Sequence, residues 1–185
     1  VLEGFMILQE LELSNIRSHE HSVIEFNEGI TVLTGRTGCG KSSILMSVIY
    51  SLFGASVNLQ NSSLLRRGAK SGFVRLRFAQ GGVNYEVMRG MKRSGSRITV
   101  DPDNLWLKRE GQKLPLIART NELNDKLIEL LGYPSDVNPL DLFEVTSYAK
   151  QDEVRKLIEL GGAERERYID RVLGLSKYEL TYQHM

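Results

Sequence analysis

The sequence predicts an α/β fold in which a mixed β-sheet surrounds the helix after a phosphate-binding loop, with an antiparallel β subdomain attached. Three observations predict it. A G-x-x-x-x-G-K-[ST] run lies between a strand-like and a helix-like segment, two alternating segments are joined by Gly81-Gly82, and the C-terminal stretch is charged and helical in pattern. With 185 residues, 41% hydrophobic and 25% charged, the chain can bury an ordinary core. Residues 1–160 read as one lobe and 161–185 as the helical start of a coiled coil.

The elements follow in order. Phe5–Leu13 reads as a first strand and Ser22–Phe26 as a second, with Asn15-Ile16-Arg17-Ser18-His19 in the loop between them. Gly29–Thr34 is short, β-branched and apolar, as a strand before a phosphate loop is. Ser43–Phe53 is apolar at helical spacing and closed by Gly54. Phe73–Phe78 and Val83–Met88 alternate about a hairpin turn at Gly81-Gly82, and Arg97–Val100 follows the flexible tip Arg93-Ser94-Gly95-Ser96. Thr120 is a candidate cap for a helix through Leu131, ended by Gly132 and Pro134. Leu142–Tyr148 has a strand-like composition. From Glu153 onward the pattern is helical, broken at Gly161-Gly162.

Gly35-Arg36-Thr37-Gly38-Cys39-Gly40-Lys41-Ser42, continued by Ser43, carries the chemistry. A polyphosphate needs several backbone N–H donors converging on one point, and glycines let the chain wrap that closely. The helix N-terminus adds unclaimed N–H groups and partial positive charge, Lys41 can reach the β- and γ-phosphates, and the Ser42 hydroxyl is placed to ligate magnesium. The expected ligands are ATP or another nucleoside triphosphate, with Mg²⁺. Cys39 is the only cysteine, so neither a disulfide framework nor a zinc pattern exists, and its thiol reads as a small filler.

No apolar run reaches the ~18 residues of a membrane helix, and the N-terminus lacks a signal-peptide layout, so an intracellular, soluble protein without a membrane partner is expected. Net charge is only +1, but it is unevenly placed. Between Ser62 and Arg97 the cations are Arg66, Arg67, Lys70, Arg75, Arg77, Arg89, Lys92, Arg93 and Arg97, with Glu86 the only anion. Alternation puts Arg75 and Arg77 on one strand face, so a cationic sheet face is expected. Arg75, Arg77, Arg89, Lys92 and Arg93 are the candidate contacts to double-stranded DNA phosphates; the plain alternative is a solvated basic surface. His19-Glu20-His21 offers two imidazoles without a third ligand, a poor metal site.

An ATP-hydrolysing site also needs a strand ending in carboxylates, to hold magnesium and activate water. No run of four apolar residues followed by Asp-Glu occurs, and Leu140-Asp141-Leu142-Phe143-Glu144 has the wrong spacing. No catalytic residue is therefore assigned within this chain.

The segments Met6–His19 and Phe26–Ile30, the phosphate loop and Ser43-Ile44-Leu45 together resemble the N-terminal half of an ABC-type ATPase head of the SMC and Rad-fifty class. The likeness is to the Rad-fifty double-strand-break-repair ATPase or an archaeal SMC-like relative. The resemblance resumes at Tyr148–Val154, similar to that family's Q-loop, and at Arg171–Glu179, similar to the start of its coiled coil. It implies that the Walker B strand, signature motif and switch histidine lie in a C-terminal lobe beyond a coiled coil. It implies that Arg17 and Ser18 contact the nucleotide, that Arg67, Gly68 and Ala69 line its adenine or ribose side, and that Gln151 binds Mg²⁺ and senses the γ-phosphate. It further implies a homodimer of heads sandwiching ATP, a Mre-type nuclease or other accessory subunit, and a cytoplasmic, nucleoid-associated or, in a eukaryote, nuclear location. Thr37, Cys39 and Met46 depart from the family's usual Asn, Ser or Ala, and Asp, without removing a phosphate-binding element. A small-molecule P-loop kinase and a non-catalytic nucleotide-binding module are the rival readings.

Overall fold

A computed structural model describes residues 6–55, 61–110, 119–133, 138–148 and 161–164. The chain divides into two compact units, 1–132 and 133–185.

In the first unit the strands are β1 (Ile7–Ile16), β2 (His19–Glu25), β3 (Ser71–Gln80), β4 (Val83–Ser94) and β5 (Arg97–Arg109). They form one sheet in the order β2-β1-β3-β4-β5, and every pairing is antiparallel. Among the described residues the sheet is therefore not mixed as expected. Short connections, which can only join antiparallel neighbours, link β1 to β2, β3 to β4 and β4 to β5, while β1 and β3 pair across a long intervening stretch. Gly81 and Gly82, at φ 57 and 74, make the tight turn between β3 and β4 that the dipeptide predicts. β5 runs nine residues beyond the expected Val100, past a register shift opposite Arg89 and Gly90.

The expected strand over 29–34 is not formed. That run makes no ladder among the described residues, and Ile30 and Val32 are 94% and 72% exposed. Its composition favours an extended chain, but a strand exists only by pairing with a neighbour.

Helix α1 (Lys41–Phe53) packs across β1, β3 and β4; a single turn, α2 (Asn61–Leu64), follows, and α3 (Thr120–Leu131) lies against α1 and β5. The core is Leu11, Leu13, Val74, Leu76, Phe78, Val87 and Leu107 of the sheet with Ile44, Val48, Ile49 and Leu52 of α1 and Leu123 and Leu127 of α3. α3 has the bounds the pattern predicts, although Arg119 rather than Thr120 occupies the cap position. It stops at Gly132, whose left-handed conformation returns its N–H to Glu129 and Ile128.

In the second unit, Pro139–Thr146 is a helix, α4, where the composition favours a strand over 142–148. The local start signal outweighs the β-branched composition: Asn138 accepts from Leu140 N at 3.0 Å and Pro139 occupies the first turn. Gln151 and the coiled-coil-like segment 171–179 lie outside the described residues.

Candidate functional site

Helix α1 begins at Gly40, whose φ of 105 is a conformation glycine adopts readily. No side chain caps this end and no acidic residue occupies its first turn, so its N–H groups and partial positive charge are left for a ligand. Gly35, at φ 150, closes the other side of the loop; a Cβ there would come 2.7 Å from Cys39 Sγ. Gly38 is also left-handed, at φ 82.

Lys41 Nζ turns back into this loop. It donates to the Gly35 carbonyl at 2.7 Å and the Arg36 carbonyl at 2.9 Å, and lies 3.6 Å from Cys39 Sγ. The ammonium thus stands over the loop, and Ser42 is exposed at the helix start. An uncapped N-terminus, a lysine held at the loop mouth and an exposed hydroxyl at the following position fit a nucleoside triphosphate with Mg²⁺ on Ser42. Ser43, by contrast, is buried, its N–H directed to the Gly40 carbonyl and its own carbonyl to the Ser47 hydroxyl. Its side chain belongs to the helix packing.

The tip between β1 and β2 leans on the loop. Asn15 and Arg17 have φ of 52 and 48, a left-handed kink that non-glycine residues seldom adopt. Ser18 Oγ makes a long 3.5 Å contact to the Cys39 carbonyl, and His19 Nε2 lies 3.2 Å from the Gly40 carbonyl. Arg17 Nε donates to Ser63 O at 2.9 Å and Arg17 N to Leu64 O at 2.8 Å. Arg66 N donates to Asn15 O at 2.8 Å, and its guanidinium reaches Ser18 O and Glu20 Oε1, each at 3.0 Å. The turn carrying Arg67, Gly68 and Ala69 follows at once, with Gly68 at φ 85. The structure therefore gathers the loop, the Arg17-Ser18 tip and the 67–69 turn at one place. Arg66 and His19 bind that cluster together, a role the sequence does not reveal; the only signal for His19 is its position directly after Ser18.

The basic block is not a cationic face. On the sheet surface opposite the helices, Arg75 pairs with Glu12, with Glu86 at 3.3 Å and with Glu10 at 3.6 Å, and Arg77 pairs with Glu10 at 3.6 Å. Two of those glutamates come from β1, outside the window in which cations dominate; lateral pairing brings them alongside. The surface is one of mixed charge. Arg89 is a firmer correction. It is 1% exposed, so it cannot reach DNA, and it donates to Ser51 O, Leu52 O and Asn124 Oδ1. Burial pushes its guanidinium down to about 10, partly countered by Tyr50. Lys92 pairs with Asp101 at 3.3 Å, and Arg93 Nε donates to Ala69 O at 3.1 Å while the residue stays exposed. Among the described residues no group of three or more metal-ligating side chains occurs. No described helix is long and apolar enough to cross a membrane.

The profile of the AAA domain family matches residues 10–181. The DNA double-strand break repair Rad50 ATPase of Methanocaldococcus jannaschii is 32% identical over 182 residues, 97% of this chain and 16% of that protein. The Rad50 ATPase of Thermoplasma acidophilum is 32% identical over 178 residues, 96% of this chain and 19% of that protein. Among solved structures, the SMC head domain from Thermotoga maritima aligns with a TM-score of 0.42 and 26% identity over 65% of this chain and 41% of that one. The chain thus spans less than a fifth of the length of these two Rad50 relatives.

Proposed function

Because the chain belongs to the AAA domain family, we propose that it is the ATP-binding half of an N-terminal, Rad50-like ATPase head serving DNA repair or chromosome maintenance. The observation that carries this reading is the uncapped start of α1 under Lys41, with the Arg17-Ser18 tip and the 67–69 turn beside it. Gly35 to Ser42 hold the phosphates, with Lys41 as the countercharge and Ser43, first expected in this set, left to the helix packing. Ser42, and Gln151 beyond the described residues, take Mg²⁺. The ion would screen the charge that builds on the phosphates as the terminal bond breaks.

The site is composite. No carboxylate-bearing strand is legible in the sequence, and the apolar run 29–34 lies exposed where the sequence expects a strand. Both features support a C-terminal lobe that supplies the pairing strand and the catalytic carboxylates. The resemblance of 171–179 to a coiled-coil start supports a long connection to that lobe. Two such heads close over ATP as a homodimer, and double-stranded DNA and an accessory nuclease read out the closure, at the chromosome. Arg77 and Arg93, both exposed, and the half-exposed Lys92 are the cations offered to DNA phosphates, although Arg77 also meets Glu10 and Lys92 meets Asp101; Arg75 is tied to three glutamates.

The test is reconstitution. ATP turnover is expected only when the chain is mixed with its C-terminal segment. Turnover by the chain alone, or transfer of phosphate to a small acceptor, would overturn the composite-site reading.

A further inference from the structure

Two successive side chains of the β1–β2 tip meet two successive carbonyls of the phosphate loop. The firmer contact is His19 Nε2 to the Gly40 carbonyl, 3.2 Å; the longer is Ser18 Oγ to the Cys39 carbonyl, 3.5 Å. A carbonyl oxygen only accepts, so the partner assigns the proton of His19 to Nε2. From the other side of the ring, Nδ1 lies 2.9 Å from Ser22 Oγ, which holds the imidazole in place. Both ring nitrogens are thereby committed to protein partners.

In a trans peptide the C=O and the next N–H point in opposite directions. Drawing the Gly40 carbonyl toward His19 therefore turns the Lys41 N–H away from His19, to the opposite side of that peptide. The clamp falls where the backbone is least constrained by its own chemistry. Gly40 sits at φ 105, and glycine leaves such a conformation easily. The approach is close: a Cβ on Gly40 would collide with both His19 Nε2 and Ser18 Oγ. At the N-terminus of α1, where no side chain caps, the other bonds that orient this peptide among the described residues are the helix's own, from Ser43 N and Ile44 N.

We infer that His19 is a positioning residue of the phosphate loop: its Nε2–H adds to the helix's own bonds in fixing the Gly40 carbonyl, so that the Lys41 N–H on the far side of that peptide is presented to the phosphates. The inference rests on the nucleotide-binding reading above. His19 touches no reacting atom in this role and acts through the loop.

Calorimetric titration of ATP with Mg²⁺, and separately of inorganic pyrophosphate, into the chain assembled with its C-terminal segment tests it. His19→Ala is expected to weaken both ligands about tenfold, the effect of losing one hydrogen bond that orders a donor. His19→Gln keeps an N–H at similar reach and is expected to recover most of the affinity for both. Thermal midpoints without ligand separate this from mere loss of packing. If His19→Gln restores the midpoint but not the affinity, the role is structural and the inference fails. Unchanged affinity in His19→Ala overturns it while leaving the nucleotide site intact. Failure of the unsubstituted protein to bind ATP overturns the site reading and the inference with it.

Discussion

Arg89 Nε donates a 2.8 Å hydrogen bond to the carbonyl of Ser51, in the last turn of the helix that the phosphate loop opens. The same guanidinium reaches Leu52 O at 3.1 Å and Asn124 Oδ1 at 2.7 Å, so one buried cation joins β4, α1 and α3. A cation at a helix C-terminus complements the dipole and serves carbonyls that have no partner within the helix. Among the described residues Nη1 has no hydrogen-bond partner, and it would lie 3.2 Å from a Cβ on Gly54, so the glycine at the helix end leaves it room.

Arg89→Met keeps the apolar stem but strips three acceptors of their donor. Stability is expected to fall by about 2–4 kcal/mol, the cost of orphaning buried acceptors less the recovered cost of burying a charge. Urea unfolding followed by circular dichroism reads it, and a midpoint within error of the unsubstituted chain would refute the anchor. The same variant is expected to leave the salt dependence of DNA binding unchanged.

Tyr50 supplies an alkaline signature. Burial pushes its phenol up to about 12, with the nearby Arg89 charge pulling the other way. The folded chain therefore keeps a proton that the unfolded chain loses near pH 10, so this contribution is whole below pH 10 and disappears as pH rises toward 12. Tyr50→Phe is expected to remove that decline. The difference in melting temperature between the two proteins, followed from pH 8 to 11 (roughly the range below both titrations and into the first), should shift in favour of the variant; parallel curves would contradict the buried phenol.

Among the described residues Lys41 Nζ holds only carbonyls of its own exposed loop and its neighbouring thiol, so its removal costs little folding energy. Lys41→Ala is expected to abolish ATP binding while moving the thermal midpoint by less than about 2 °C. Retained affinity in a calorimetric titration would sink the site assignment.

For DNA, joint charge reversal of Lys92 and Arg93 is expected to flatten the plot of log affinity against log salt by about one unit for each phosphate no longer neutralised. That variant breaks one ion pair, Lys92 with Asp101, whereas reversal at Arg75 and Arg77 would leave Glu10, Glu12 and Glu86 all without their countercharges, lowering stability more. An unchanged slope in the Lys92 and Arg93 variant would reduce those cations to solvation.

By itself the sequence determined the features whose causes are local. Gly35 to Ser42 encode a loop and helix start, Gly81-Gly82 a tight turn, and the periodic run before Gly132 a helix with its stop, because each depends on backbone freedom or spacing within a few residues. Only the tertiary structure decided what depends on neighbours distant along the chain. Ile30 and Val32 have strand composition but, among the described residues, no strand to pair with. Arg75 and Arg77 read as a cationic face until β1 lays Glu10 and Glu12 beside them, and Arg89 reads as surface charge until α1 and α3 close over it. Pairing, burial and countercharge belong to the contacts between segments, and a side chain of given type acquires them only when the fold brings those segments together.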